Sequence, residues 1–172
     1  MRRRLITFIV CFMILLGYLI LDIRPIVIYM FQKPDTYYFM GEDLYNPIEN
    51  FDFSKDNNEV IMYTSFDELQ YLPNVMKKST LLYNNDNNVI QFIKENFYFE
   101  RISEDFVETT DSESFIIFKK EGKILFKSNI QIENGVISLK FENTGWTFST
   151  NSDELIYCFS QLKRYYIPFI VF

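Results

Sequence analysis

The residues of this sequence that could do chemistry are mainly carboxylates. Glu42-Asp43 form one adjacent pair, and Glu104, Asp105 and Glu108 form a second group. Two carboxyl groups held about 5 to 10 Å apart across a cleft can cleave a glycosidic bond. Spacing within a loop does not establish such a distance, so solvated loop charge is the favoured interpretation. A carboxylate-dependent exported hydrolase is kept as one hypothesis.

A second oxygen-rich stretch contains Asp52, Asp56, Asn58 and Glu59, which are side chains of the types that bind calcium. The alternate ligand spacing and the glycine of an EF-hand loop are missing. The chain has no histidine, which excludes His-containing triads, His metal ligands and the commonest general base at neutral pH. Phosphate-binding and nucleophile-elbow glycine motifs are also missing. The sequence therefore predicts no catalytic, metal-binding or cofactor-binding residue and no cofactor, and it favours binding over catalysis.

The two cysteines are predicted to be structural. Cys11 lies inside an apolar run and follows the bulky pair Ile9-Val10, whereas lipidation requires small residues before the cysteine. Cys158 joins Leu155 and Phe159 in an apolar stripe with helical spacing, so we expect a buried thiol. No second cysteine lies beyond the apolar run, which excludes an internal disulfide in the rest of the chain.

The amino-terminal segment predicts a membrane anchor. Arg2, Arg3 and Arg4 precede an uncharged run from Leu5 to Leu21, a pattern shared by cleaved secretory signals and retained anchors. Bulky side chains precede Pro25 where a cleavage site would need small ones, so we favour an anchor held in the lipid bilayer. The seventeen residues span roughly 25 Å, at the low end for a hydrocarbon core of about 30 Å.

The charge distribution predicts where the parts of the chain lie. The amino-terminal arginines favour a cytoplasmic amino terminus and an extracytoplasmic remainder, as in a single-pass protein of the cell membrane. We expect a basic stub and anchor over residues 1–31, a spacer or loosely structured lead-in over 32–58, and one α+β domain over 59–172. The whole chain carries −6, and the part from Lys33 onward carries −9 once four arginines and one aspartate are removed. Such a charge repels nucleic acid, so none is predicted as a partner.

Asn134-Gly135 is the clearest local signal of secondary structure. It separates two segments of alternating polarity, and Asn-Gly suits a type I′ hairpin turn because both positions need positive φ. A two-residue turn sets Ile132 opposite Ile137 and Ile130 opposite Leu139. One face of the hairpin is then apolar and the other polar.

Further turns extend this hairpin into a meander. Glu121-Gly122 predicts a turn that sets Ile117 opposite Phe126, and the next turn leaves Trp146 and Phe148 on the same apolar face. Other predicted elements are strands from Glu59 and Ser79, helices after Ser65, over Val89 to Phe97 and from Ser152, loops over Asn84–Asn88 and Ser103–Ser114, and a docked strand over Ile167 to Phe172. The predicted fold class is α+β: a single domain with a four-stranded antiparallel meander covered by helices, preceded by one N-terminal transmembrane helix.

Aromatic residues make up 19% of the chain, and we expect most of them in the core. Those at Tyr37-Tyr38-Phe39, Tyr45, Phe51 and Phe53 lie among acids and prolines, where an exposed binding patch is the alternative. The leading functional hypothesis is a membrane-anchored domain that binds a protein partner, as an envelope accessory subunit. The alternatives are an immunity or inhibitor protein that neutralises a basic toxin through its acidic surface, and the carboxylate-dependent hydrolase.

Overall fold

The computed structural model describes residues 2–21, 26–28, 38–40, 44–55, 57–65, 68–77, 79–101, 112–165 and 169–171. In this part of the chain the helices are α1 Arg2–Leu21, α2 Asn87–Asn96 and α3 Ser152–Ser160, with one 3₁₀ helix, Leu69–Tyr71. The strands are β1 Ile26–Ile28, β2 Asn58–Tyr63, β3 Leu81–Asn84, β4 Phe99–Arg101, β5 Phe115–Lys120, β6 Lys123–Glu133, β7 Val136–Phe141, β8 Gly145–Ser149, β9 Lys163–Arg164 and β10 Phe169–Val171.

Eight strands form one antiparallel sheet in the order β4-β8-β7-β6-β5-β2-β3-β9. Strands β5 to β8 are neighbours in sequence and in space, but four more strands extend the sheet at both ends. The predicted four-stranded α+β meander is therefore wrong as a fold class. Strand β2 gives the physical reason: Val60 and Met62 are buried on one face, Ile61 and Tyr63 on the other. A strand buried on both faces belongs inside a sheet, and β2 pairs with both β3 and β5.

The predicted transmembrane helix is also wrong. Helix α1 covers the run from Leu5 to Leu21, but within the described residues no helix is long and apolar enough to cross a membrane. Three of its 20 residues are arginines, and the uncharged remainder lies at the short end of the range that spans a bilayer. The single-pass membrane interpretation, which depended on this helix, is wrong for the same reason. The extracytoplasmic location of the rest of the chain stays a prediction.

The Asn134-Gly135 hairpin has the predicted register. Both turn residues have positive φ, 50° and 82°. Ile132 pairs with Ile137 and Ile130 with Leu139, as a two-residue turn requires.

The registers on either side of that hairpin differ from prediction. Phe118, not Ile117, lies opposite Phe126, because a β-bulge at β6 adds one residue after Ile124. The turn before β8 has three residues, so Trp146 pairs with Lys140 and lies on the face opposite Leu139. A one-residue shift exchanges the two faces of a strand, which explains both errors.

Two apolar clusters are buried on opposite faces of the sheet. The larger lies between the sheet and helices α2 and α3, and includes Phe97, Phe118, Phe126 and Phe159. The smaller consists of Ile61, Tyr63, Leu81, Phe115, Ile117 and Ile124. The second face of the sheet is therefore less exposed to solvent than we predicted for a meander packed on one side only.

Helices α2 and α3 form where predicted and pack against each other. Asp86 caps α2, since its carboxylate accepts a hydrogen bond from the Asn88 N–H at 2.9 Å. The helix predicted after Ser65 is only the 3₁₀ helix, because Pro73 holds Leu72 in extended backbone (ψ 146°).

The predicted lead-in and the carboxyl-terminal run both contribute residues to the folded structure. From the predicted lead-in, Phe39, Ile48 and Phe53 are buried in the larger cluster. Strand β10 forms inside the run Ile167 to Phe172, but it pairs in parallel with β1 in a separate two-stranded sheet. It is thus not an interior strand, contrary to prediction.

Candidate functional site

The carboxylates predicted to support hydrolysis are not placed by the structure. Glu42-Asp43 and the group Glu104, Asp105 and Glu108 lie outside the described residues. The hydrolase hypothesis therefore gains no support from the geometry.

The calcium-like stretch is not assembled into a site. Asp52 accepts hydrogen bonds from the Ser54 N–H (2.9 Å) and hydroxyl (2.6 Å), and these bonds, helped by Lys120, lower its carboxyl pKa to about 2. Glu59 lies 3.4 Å from the Lys119 ammonium, and Asp56 lies outside the described residues. In the part of the chain that the structure describes, no three His, Cys, Asp or Glu side chains are grouped to hold a metal ion.

One of the two cysteines has the predicted environment. Cys158 is buried in the larger cluster, which confirms the structural interpretation, and burial raises the pKa of its thiol to about 11. Such a thiol carries almost no thiolate at neutral pH, so it is a poor nucleophile. Cys11 is exposed on α1.

The aromatics of the lead-in mostly pack inward. Phe39 and Phe53 are buried, while Tyr45 and Phe51 pack against the larger cluster. Tyr38 is exposed, and Tyr37 lies outside the described residues. Core packing is therefore the correct interpretation for four of the six.

An exposed aromatic pair instead lies on the outer side of α2 and α3. Phe92 is 41% exposed and Tyr157 is 61% exposed, and their rings meet edge to face with centroids 6.4 Å apart. Exposed carboxylates lie one turn away on each helix: Glu95 on α2, and Asp153 and Glu154 on α3. We call these five residues the aromatic–acidic surface.

The positive charge nearest in sequence is directed away from this surface. Lys94 precedes Glu95, but its ammonium donates to the Phe51 carbonyl at 2.7 Å on the core side of α2. Gln91 donates to the Glu95 carboxylate at 3.0 Å and so orients it. The aromatic–acidic surface thus presents two apolar rings beside carboxylates, a combination suited to binding rather than to bond cleavage.

A polar cleft of about 610 Å³ opens at the end of the sheet where β2 begins and β3 and β5 end. Its walls are Asn57, Asn58, Glu59, Asn85, Asn87 and Glu121, together with the turn glycine that follows. We call this the polar cleft. All of its described lining is polar or glycine.

Asn58 forms the buried wall of the polar cleft. Its amide nitrogen donates to the Phe53 carbonyl and to the Asn87 side-chain oxygen, both at 2.9 Å, and also contacts the Lys55 carbonyl. These acceptors fix the orientation of the amide. The side chain is fully buried, and its oxygen Oδ1 has no hydrogen-bond partner within the described structure.

Neither surface was found by sequence reasoning, although each left a signal. Phe92 and Tyr157 are apolar residues that fall outside the predicted apolar stripes of their helices. Glu121 occupies a turn position with positive φ (51°), where Asn, Asp or Gly is usual.

No protein-family model, curated protein or solved structure matches this chain. The geometry of these two surfaces is therefore the basis for functional inference.

Proposed function

We propose that this chain is a binding protein whose partner is a basic protein, contacted through the aromatic–acidic surface. The observation that carries the proposal is the pair of exposed rings, Phe92 and Tyr157, held together by two different helices. Large aromatic side chains dominate binding energy at protein interfaces because they bury much surface with few rotatable bonds.

Charge complementarity defines the class of partner. Glu95, Asp153 and Glu154 border the rings, and the chain as a whole carries −6. A partner with Lys and Arg around an apolar centre would be attracted to this surface, and an acidic one would be repelled. A basic toxin neutralised by this chain is one such partner, and neutralisation requires no catalytic group on this side.

The test is photo-crosslinking in the cells that produce the protein. A photoreactive amino acid replaces Phe92, and in a matched chain it replaces Val136, which is equally exposed (40%) but lies on β7. We expect position 92 to capture a basic protein that position 136 does not capture. Capture of the same proteins at both positions, of an acidic protein, or of none would contradict the proposal.

The captured protein is then purified and its affinity measured. Phe92→Ala and Tyr157→Ala should each weaken binding by about 10-fold or more, as truncation of an interface hot spot does. Glu154→Gln should mainly slow association, and added salt should reduce that difference. Val136→Ala is the control and should leave the affinity within about twofold. Equal affinity of all four variants would locate the interface elsewhere.

A further inference from the structure

We propose that Asn134 is a site of spontaneous deamidation, at which the side-chain amide is lost as ammonia and the turn between β6 and β7 acquires aspartate or isoaspartate. This inference does not depend on the proposed protein partner. It rests on three observations: the glycine that follows Asn134, the freedom of both reacting groups, and how little structure holds the turn closed.

The first observation is the Asn134-Gly135 pair, which is the single Asn-Gly in the chain. The Gly135 nitrogen attacks Cγ of Asn134 and a succinimide ring forms. The Cγ–Nδ2 bond breaks, and the amide nitrogen leaves as ammonia with the proton of the Gly135 N–H. Glycine favours this step because it has no Cβ to obstruct the approach. Water then opens the ring at Cγ to give aspartate, or at the main-chain carbonyl to give isoaspartate.

The second observation is that both reacting groups are free. Asn134 is exposed, and among the described residues neither its side-chain amide nor the Gly135 N–H has a hydrogen-bond partner. Asn143, in the next turn, is also exposed but is held at both ends of its amide. Its Oδ1 accepts from the Phe39 N–H at 2.7 Å and its Nδ2 donates to the Phe39 carbonyl at 2.9 Å. Asn134 has no such restraint, so its side chain can turn towards its own backbone.

The third observation is the low cost of opening the turn. Ring closure requires rotation of the main chain between Asn134 and Gly135, so the reaction needs an open turn. The space around Gly135 is empty, since an added Cβ would meet no atom within 4 Å. The strand pair that closes the turn is Glu133 with Val136, and the Val136 side chain is 40% exposed. Segments with few buried contacts open locally at little free energy.

The modification has a structural consequence at helix α3. Isoaspartate adds a methylene to the main chain of a turn whose length sets the strand register, so the pairing next to it must change. Just past the turn, the Ile137 N–H donates to Ser152 Oγ at 3.1 Å and joins β7 to the first residue of α3. Asp153 and Glu154 follow directly, so the change reaches the acidic border of the aromatic–acidic surface.

The experiment incubates the full chain at mildly alkaline pH, in buffer and in concentrated urea, and follows each asparagine by peptide mass spectrometry. Isoaspartate is detected by methyl transfer with an isoaspartyl methyltransferase. We expect Asn134 to convert before every other asparagine, with isoaspartate in excess over aspartate. The rate in buffer should lie within about 10-fold of the rate in urea, because the turn opens at low cost. In the converted chain, the amide signals of Ile137 and Ser152 should shift.

Two variants separate this reaction from general decay of the chain. Asn134→Gln keeps a neutral amide in the turn, but its longer side chain closes a less favourable ring, so isoaspartate should no longer form there. Asn88→Gln is the matched control, because Asn88 is also exposed but precedes the β-branched Val89; it should leave the conversion of Asn134 unchanged. Earlier conversion of another asparagine, slowing of more than about 10-fold relative to urea, or unchanged Ile137 and Ser152 signals after conversion would each overturn the proposal.

Discussion

Phe97 is the aromatic residue whose removal should damage the fold most. It follows α2 and is fully buried, with ring centroids 4.9 Å from Phe99, 5.4 Å from Phe118 and 6.0 Å from Phe126. Phe97→Ala loses the transfer free energy of the ring and leaves a cavity, which together cost about 3 to 5 kcal/mol. Strands β5 and β6, which carry Phe118 and Phe126, are each paired on both sides and resist collapse into the space, so we expect the upper half of that range.

Urea unfolding followed by circular dichroism measures this loss, and the melting temperature should fall by roughly 8 to 20 °C. Phe92→Ala is the matched control on the same helix, because Phe92 is exposed and its truncation should cost less than about 1 kcal/mol. If Phe97→Ala cost as little as Phe92→Ala, the placement of Phe97 between α2 and the sheet would be wrong.

Other predictions concern the hairpin and the buried thiol. Gly135→Ala should destabilise the protein by roughly 1 to 2 kcal/mol, because φ is +82° at this position. The cost comes from the backbone alone, since an added Cβ would meet no atom within 4 Å. Urea unfolding at two wavelengths measures the change, and an unchanged midpoint would contradict the type I′ turn. Cys158 should resist iodoacetamide at neutral pH in the native chain and react in concentrated urea, as intact-mass analysis would show. Its folded pKa of about 11 exceeds the ordinary 9.0, so its contribution to stability is present below pH 9 and is lost as the pH rises towards 11. Cys158→Ala should remove that part of the alkaline loss, and an identical alkaline profile in both chains would refute the assignment.

The sequence correctly predicted those strands and helices whose turn residues or apolar spacing lie within one short segment. Asn134-Gly135 defines its own turn, and that turn then sets the pairs Ile132 with Ile137 and Ile130 with Leu139. Helix α2 was predicted for a similar reason, since the apolar residues of its stripe lie within one short stretch. These signals need no information from the rest of the chain.

The sheet order could not be obtained in that way. Pairing of β2 with β5 joins residues about 60 positions apart, and no pattern within either strand specifies the other. The bulge after Ile124 and the three-residue turn before β8 each add one residue that the two-residue turn pattern does not predict. A single residue in either place moved Ile117 and Trp146 to the opposite face from the one predicted.

The candidate surfaces were missed for a related physical reason. Phe92 and Tyr157 are 65 positions apart, and only the packing of α2 on α3 brings their rings together. The polar cleft likewise combines the start of β2, the end of β3 and a turn between β5 and β6. In the sequence, such residues cannot be distinguished from other surface residues, because each site forms only when separate elements bring them together.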